Sequence, residues 1–271
     1  MTLVLTLRER PEQRLDLSPL LPHLLAGKTA AEIEALELQT TRVRVTVGDA
    51  FRLRMGDAEH IRIENACDRL DQVGAGMTGG EIEAFGDVGI QAGRLMTGGR
   101  LTIRGNAGHW AASGMKNGVI EITGSAGARL GGPLAGEVAG MRGGVVIIRG
   151  NAGARAGDKL RRGTIIIEGH AGDHAGSRMI AGTLIVRGAA GLLPGYLMNR
   201  GTIVLGDGAA SLSPTFADCG VHHLVAMRLM ADFIKPFSKG TAALLGKPLR
   251  RFAGDMAVSG HGELFLGNPK Q

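Results

Sequence analysis

Cysteine is nearly absent. The chain has two, Cys67 and Cys219, 152 positions apart. With no C-x-x-C spacing, this excludes a disulfide framework, a zinc site built mainly on Cys and an iron–sulfur cluster within the chain, and fits a reducing cytoplasm. Aromatic residues are 3% of the chain, which excludes a core of large rings. Nine prolines exclude a collagen-type Gly-X-Y helix, which needs abundant Pro. No run of 18 apolar residues occurs, so no transmembrane helix is expected. Met1 to Arg14 is a short strand-like run followed by Arg8, Glu9 and Arg10, without the basic start, long apolar stretch and small-residue cleavage site of a secretory signal.

Glycine, by contrast, is abundant: 45 of 271 residues, against an ordinary usage of roughly 7%. A hydrophobic content of 44% argues against a disordered Gly-rich linker. The glycines fall in a repeat between residues 74 and 208. Its copies include GRLMTGGRLTIRGNAG, GMKNGVIEITGSAG, GMRGGVVIIRGNAG, GDKLRRGTIIIEGHAG and GSRMIAGTLIVRGAAG. The glycine closing each strand stands at 86, 105, 124, 150, 169, 188 and 206, so the intervals are 19, 19, 26, 19, 19 and 18. Each copy holds a short strand rich in Ile and Val between glycines, which allow tight corners. One strand cannot bury its face alone, but stacked copies can. A Met or Leu column (Met77, Met96, Met115, Met141, Leu160, Met179, Met198) predicts a second wall.

The fold class predicted is all-β: a right-handed parallel β-helix with coils of about 19 residues and short α-helical capping segments. A six-residue phase is missing, which excludes a left-handed hexapeptide helix. Arg42 to Asn65 reads as first, degenerate rungs. Residues 1–40 read as an N-terminal strand (Thr2 to Leu7) and helical cap, with helix starts at Asp16/Ser18-Pro19 and at Thr29, where Glu32 completes a capping box. Residues 41–208 form the β-helix, and 209–271 a C-terminal helical cap and tail with a helix over Val221 to Phe233. The 26-residue interval places a seven-residue insertion within 129–138.

No motif makes a convincing catalytic set. Gly74 to Gly79 matches G-x-G-x-x-G, but no helix follows and the register recurs in every copy, so it reads as a repeat corner rather than a dinucleotide site. Gly240 to Lys247 has the wrong spacing for a phosphate loop. His170 and His174 are four apart, yet on a corner without a visible third ligand, so no metal is expected. His222-His223 read as packing or capping, and His109-Trp110 as a surface corner. No Gly-x-Ser-x-Gly elbow appears, and no paired acids project from neighbouring copies.

The cations carry more. Net charge is +6. Between the Met column and the next glycine lie Lys116, Arg142, Arg161, Arg162 and Arg200; around the preceding turn lie Arg94, Lys159 and Arg178. Stacked about 4.8 Å apart, such charges repel unless an anion neutralises them. They read either as a site for a polyanion or acidic partner, or as solvated turns screened by salt within about 8 Å. Nucleic acid is disfavoured because stacking aromatics are missing from these columns.

The copies GGPLAGEVAG and GMRGGVVIIRGNAG, with Asp218-Cys219-Gly220 and His222-His223, closely resemble the C-subunit of formylmethanofuran dehydrogenase. More distantly they are similar to the GXGXG β-helix of the glutamate synthase large subunit. The resemblance covers about residues 40–235 and looks like the bacterial, methylotroph form. It implies a cytoplasmic, β-helical, non-catalytic subunit of a formyltransferase/hydrolase complex, which moves a formyl group from tetrahydromethanopterin to a methanofuran-type carrier and releases formate. The implied partners are an amidohydrolase-like chain, a formyltransferase chain and a chain related to the molybdopterin family. The implied coenzyme is of methanofuran type, with its anionic tail on the basic columns. A tungsten or molybdenum dehydrogenase parent, and an interface residue supplied from 129–138 or His222-His223, stand as the alternatives.

Overall fold

The computed structural model describes residues 2–40 and 42–267. Met1, Thr41 and 268–271, which the segments above include, lie outside the described residues. In chain order the elements begin with β1 (Thr2–Leu7), β2 (Leu15–Asp16), α1 (Pro22–Leu25), α2 (Ala30–Glu34), β3 (Glu37–Leu38), β4 (Val45–Thr46), α3 (Val47–Ala50) and β5 (Phe51–Arg54). The repeat strands follow: β6 (Asp57–Ala66), β7 (Leu70–Asp71), β8 (Glu81–Gly86), β9 (Arg100–Arg104), β10 (Val119–Ile122), β11 (Arg142–Ile148), β12 (Arg162–Ile167), β13 (Thr183–Val186), β14 (Ala190–Leu192) and β15 (Arg200–Leu205). The chain ends with β16 (Ala209–Ser211), β17 (Ala217–His222), α4 (Val225–Ile234), α5 (Lys239–Leu245), β18 (Leu249–Gly254) and β19 (His261–Leu266).

The protein is mostly β, built on one sheet of 13 strands in the order β17-β18-β19-β15-β13-β12-β11-β10-β9-β8-β6-β1-β5. From β1 to β19 every pairing is parallel; only β5, β18 and β17 are joined antiparallel. Register follows the 19-residue interval: Ile165 sits on Leu184, and Leu184 on Ile203. A second line of parallel contacts runs through the Gly-x-Ala-Gly corners, Val88–Ala107–Ala126–Ala152–Ala171–Ala190. The Met column forms a third: the N–H after each Met or Leu donates to the preceding column carbonyl, as Lys116 to Met96 at 2.8 Å and Arg161 to Met141 at 2.9 Å. All seven column side chains are fully buried and share one core with the inward strand residues, such as Ile103, Ile122 and Ile167.

The opposite face of the sheet changes character along its length. Its central column reads Arg62, Glu83, Thr102, Glu121, then Ile147, Ile166, Ile185, Val204 and Phe265. Helices α4 and α5 lie over the apolar half, packing Met227, Ile234 and Leu245 onto it. Arg149 marks the junction, donating to Glu121 at 2.6 Å, Glu168 at 2.8 Å and the Phe237 carbonyl at 3.0 Å. Those acids raise its already high pKa, although its partial burial acts the other way.

Thr29 caps α2 with a capping box to Glu32. Helix α4 starts at Val225 rather than Val221, because Ala217–His222 is taken up as a strand against β18. Of Arg42 to Asn65, the part that joins the parallel stack is β6, whose Ile61 to Ile63 sit on Ile82 to Ala84. Val45–Thr46 pairs instead with Glu37–Leu38. None of the helices among the described residues is long and apolar enough to cross a membrane.

Candidate functional site

The two residues after each Met or Leu of the buried column leave the core, and the next position is a glycine close to the coil before. A Cβ on Gly163 would stand 2.8 Å from the Gly144 carbonyl. The column side chain is locked inward, so its two successors project from the edge. Five cations stand in these slots, Lys116, Arg142, Arg161, Arg162 and Arg200, all exposed. Arg142 and Arg162 are neighbours in the β11–β12 ladder. No side chain of the five makes an ion pair or hydrogen bond among the described residues.

The eight cations singled out by the sequence therefore separate. Arg94 reaches Glu137 at 2.7 Å, and Arg178 clamps the fully buried Asp158, its Nε 2.9 Å from Oδ1. Arg129 comes within 3.7 Å of the same carboxylate, and Ser177 donates to it at 2.9 Å. Arg94 and Arg178 spend their charge inside the fold. Lys159 is half-buried in a left-handed turn, φ 49°, on the other side of the column.

Arg161, Arg162 and Arg200 line a shallow groove of about 500 Å³ with Asn199, Ser259 and His261. The last two come from the far end of the chain: β19 pairs with β15 so that His261 lies beside Arg200. Ser259 hydroxyl donates to the Asn199 carbonyl, which closes the groove floor. Sequence reasoning missed these residues, although the signal is present: HGELFLG repeats the pattern of RGTIVLG 61 residues earlier. Such an edge offers forked N–H donors and no competing carboxylate in the groove lining, which suits carboxylate or phosphate ligands. A hollow of about 350 Å³ at the opposite end, lined by Leu7, Leu15, Val43 and Val45 with Glu9, Glu12, Asp49 and Arg42, carries mixed charge and no comparable donor set.

The other singled-out residues serve the repeat. His170 belongs to a ladder in which each side chain accepts the backbone N–H of the next copy: Asp87 from Asn106 (2.7 Å), Asn106 from Ser125 (2.8 Å), Ser125 from Asn151 (3.0 Å), Asn151 from His170 (2.8 Å) and His170 from Ala189 (3.0 Å). His109 Nδ1 does the same for Ala128 at 2.9 Å. His174 packs edge-on against Tyr196, ring centroids 6.0 Å apart. His222 and His223 meet the carbonyls of Cys219 and Gly246 at 2.8 and 3.2 Å. Asp218 is held by Arg250, which keeps its carboxyl below the usual range, and Cys219 is exposed. Within 129–138, Glu137 joins Arg94 to the Leu134 N–H, so the insertion is pinned down on the repeat. Among the described residues no three His, Cys, Asp or Glu side chains gather as a metal site.

No family model matches the chain. A curated protein, the C-subunit of the formyltransferase/hydrolase complex Fhc of Methylorubrum extorquens, is 52% identical over 263 residues, covering 96% of this chain and 98% of the relative. A chain in the crystal structure of the formyltransferase/hydrolase complex (FhcABCD) from the same organism, in complex with methylofuran, superposes with a TM-score of 0.94 at 42% identity, covering 97% of this chain and 98% of that one.

Proposed function

The chain belongs to the family of formyltransferase/hydrolase complex C-subunits, and from that premise we propose that it is the scaffold subunit of a cytoplasmic one-carbon assembly. In this reading companion chains carry out formyl transfer from formyl-tetrahydromethanopterin to a methanofuran-type carrier and the release of formate. Those companions are an amidohydrolase-like chain, a formyltransferase chain and a chain related to the molybdopterin family. Near-complete coverage of both chains supports it, since the likeness is not confined to one module. The three parallel lines, through strands, Ala corners and Met column, support a right-handed β-helix from β6 to β15, because parallel crossovers take that hand almost always. Segments 2–40 and 209–267 then act as its end closures, the second rejoining the stack through β19.

The basic edge is the binding surface of this subunit, and the observation that carries it is the five cations left without acids among the described residues. Its ligand is the anionic tail of the carrier or an acidic surface that presents it; the relative's complex is one with methylofuran. Arg161, Arg162 and Arg200 hold the anion with His261 beside them, while Lys116 and Arg142 extend the positive track. Arg94 and Arg178 support the fold instead, and Lys159 lies off this track. The test is carrier affinity of the assembled complex at low salt. Arg161→Glu/Arg162→Glu is expected to weaken binding at least tenfold and to flatten its salt dependence, as a loss of about 1.4 kcal/mol or more requires. Unchanged affinity rejects the site.

A further inference from the structure

Helix α4 has two apolar faces, and the fold uses one. Met227 and Ile234 are buried against the sheet, with Leu224, Met230 and Ala231 packed beside them. On the opposite side Val225, Leu229 and Phe233 are 68, 66 and 52% exposed. Spaced four apart, they form one ridge along the helix. Phe237, half-buried against the sheet-side core, backs the end of the ridge with its ring 5.9 Å from that of Phe233. Single exposed apolar residues are ordinary, but a helix apolar on both sides is built to be covered on both.

Charge around the ridge says what covers it. Between 225 and 247 stand Arg228, Lys235, Lys239 and Lys247 against one acid, Asp232, and all five are exposed. None of the four cations has an acidic partner among the described residues. A second copy of the chain, docked by two-fold symmetry, would set these cations against their own equivalents. We propose that the α4 ridge docks a different polypeptide, one presenting an apolar groove rimmed by Asp and Glu. The inference rests on the reading of the chain as a subunit, and identifies that partner with a companion chain of the assembly. The ridge lies on the face covered by α4 and α5, whereas the cation groove lies at the Met-column edge, so the two surfaces are separate in their residues.

The test places a label on the ridge. In a Cys67→Ser/Cys219→Ser background, Leu229→Cys is reacted with a maleimide, first in the isolated chain and then in the complex co-expressed with its companion subunits. The expected result is rapid labelling alone and at least tenfold slower labelling in the complex. A Leu229→Asp/Phe233→Asp variant should keep the melting temperature of the isolated chain, yet co-purify with companions at least tenfold less. Fast labelling within an intact complex overturns the ridge and leaves the subunit reading standing. Slow labelling in the isolated chain, with a dimer by light scattering, overturns the heterologous partner in favour of a second copy. A wild-type chain that enters no complex overturns both readings.

Discussion

At the residue scale the glycines answer to two demands, only one of which is conformational. The strand-closing Gly105, Gly124, Gly150, Gly169 and Gly188 carry no positive φ; they are glycine because the preceding copy is too close. A Cβ on Gly105 would stand 2.4 Å from the Gly86 carbonyl oxygen, a contact that no side-chain rotation relieves. The tight corners do use glycine for its backbone freedom, as at Gly93, Gly114, Gly157 and Gly176, but the residue two before each, Gln91, Ala112, Arg155 and His174, shares the left-handed conformation with φ near 60°. Gln91 and Arg155 are held in the left-handed turn by an N–H that donates to the next copy, to His109 and Asp173 at 2.8 Å, and a C=O that accepts within the turn, from Arg94 and Asp158 at 3.1 Å. Gly105→Ala should therefore destabilise by about 1–3 kcal/mol or more, by forcing two copies apart. Gly79→Ala is its control: nothing lies within 4 Å of the added Cβ and φ is ordinary. That change should be neutral or stabilising by about 0.4–1 kcal/mol. Thermal denaturation of both variants decides; equal effects would mean that close approach is not what selects these glycines. The acceptor ladder from Asp87 to His170 was equally open to sequence, since each member directly follows a closing glycine, but it appears only when columns rather than motifs are compared.

Elements were legible to different degrees, and the reason is periodicity. The interval of 19 and the strand positions come directly from the glycines and Ile/Val runs, because every copy obeys the same steric constraint. What escaped was the outer face. LTIR and VIEI alternate and so leave polar residues outside, whereas VVII, TIII, TLIV and TIVL are apolar on both faces and need a cover. That change of pattern, read with the apolar helix downstream, locates α4 and α5 over β11 to β15. The helix was readable as apolar but not as two-faced, since spacing of three and four serves both sides at once. The turn after β18 was not readable at all, because it depends on one buried carboxylate. Asp255 accepts the Leu197 and Ala257 N–H groups, both at 2.9 Å, tying the end of β18 to the last Met turn. Burial pushes its carboxyl up, but hydrogen bonds from Thr215, Ala257 and Leu197 outweigh that and hold it below the usual range. A depressed folded value stabilises fully above the unfolded carboxylate pKa of about 3.9 and is lost as pH falls through the folded value. The difference in melting temperature between wild type and Asp255→Asn should then be widest above about pH 5 and shrink on acidification below about pH 4. A gap that stays constant to pH 2 would remove Asp255 from that role.

At the scale of the whole molecule, the stack does not stop where the regular repeat does. After β15 the chain leaves for about fifty residues, lays α4 and α5 across the outer face, and returns as β19 to pair with all six residues of β15. The segment 209–267 thus meets two needs that a truncated stack would leave open. It covers the fully buried Ile166, Ile185 and Val204, which would otherwise form an exposed apolar stripe, and it occupies the free edge of β15. A stripe of that kind beside an unpaired parallel edge is a template for self-association. At the other end the same problem is solved by β1, which pairs with β6 in parallel and with β5 antiparallel. The outermost strand of the C-terminal end, β17, is interrupted at Gly220 by a bulge and carries the Asp218–Arg250 pair, both of which discourage further strand addition. If end closure is what makes the stack a discrete particle, a chain ending at Asp207 should keep β6 to β15 in sequence but lose solubility. It should sediment as large species, whereas the full chain stays a discrete particle. Removing only the helical cover, by Ile166→Asp/Ile185→Asp in the full chain, should instead leave the edge paired by β19 and detach α4 and α5, seen as faster amide exchange confined to 225–245. A truncated chain that remains monomeric with an unchanged melting temperature would show that the repeat closes itself, and that the C-terminal segment serves docking alone.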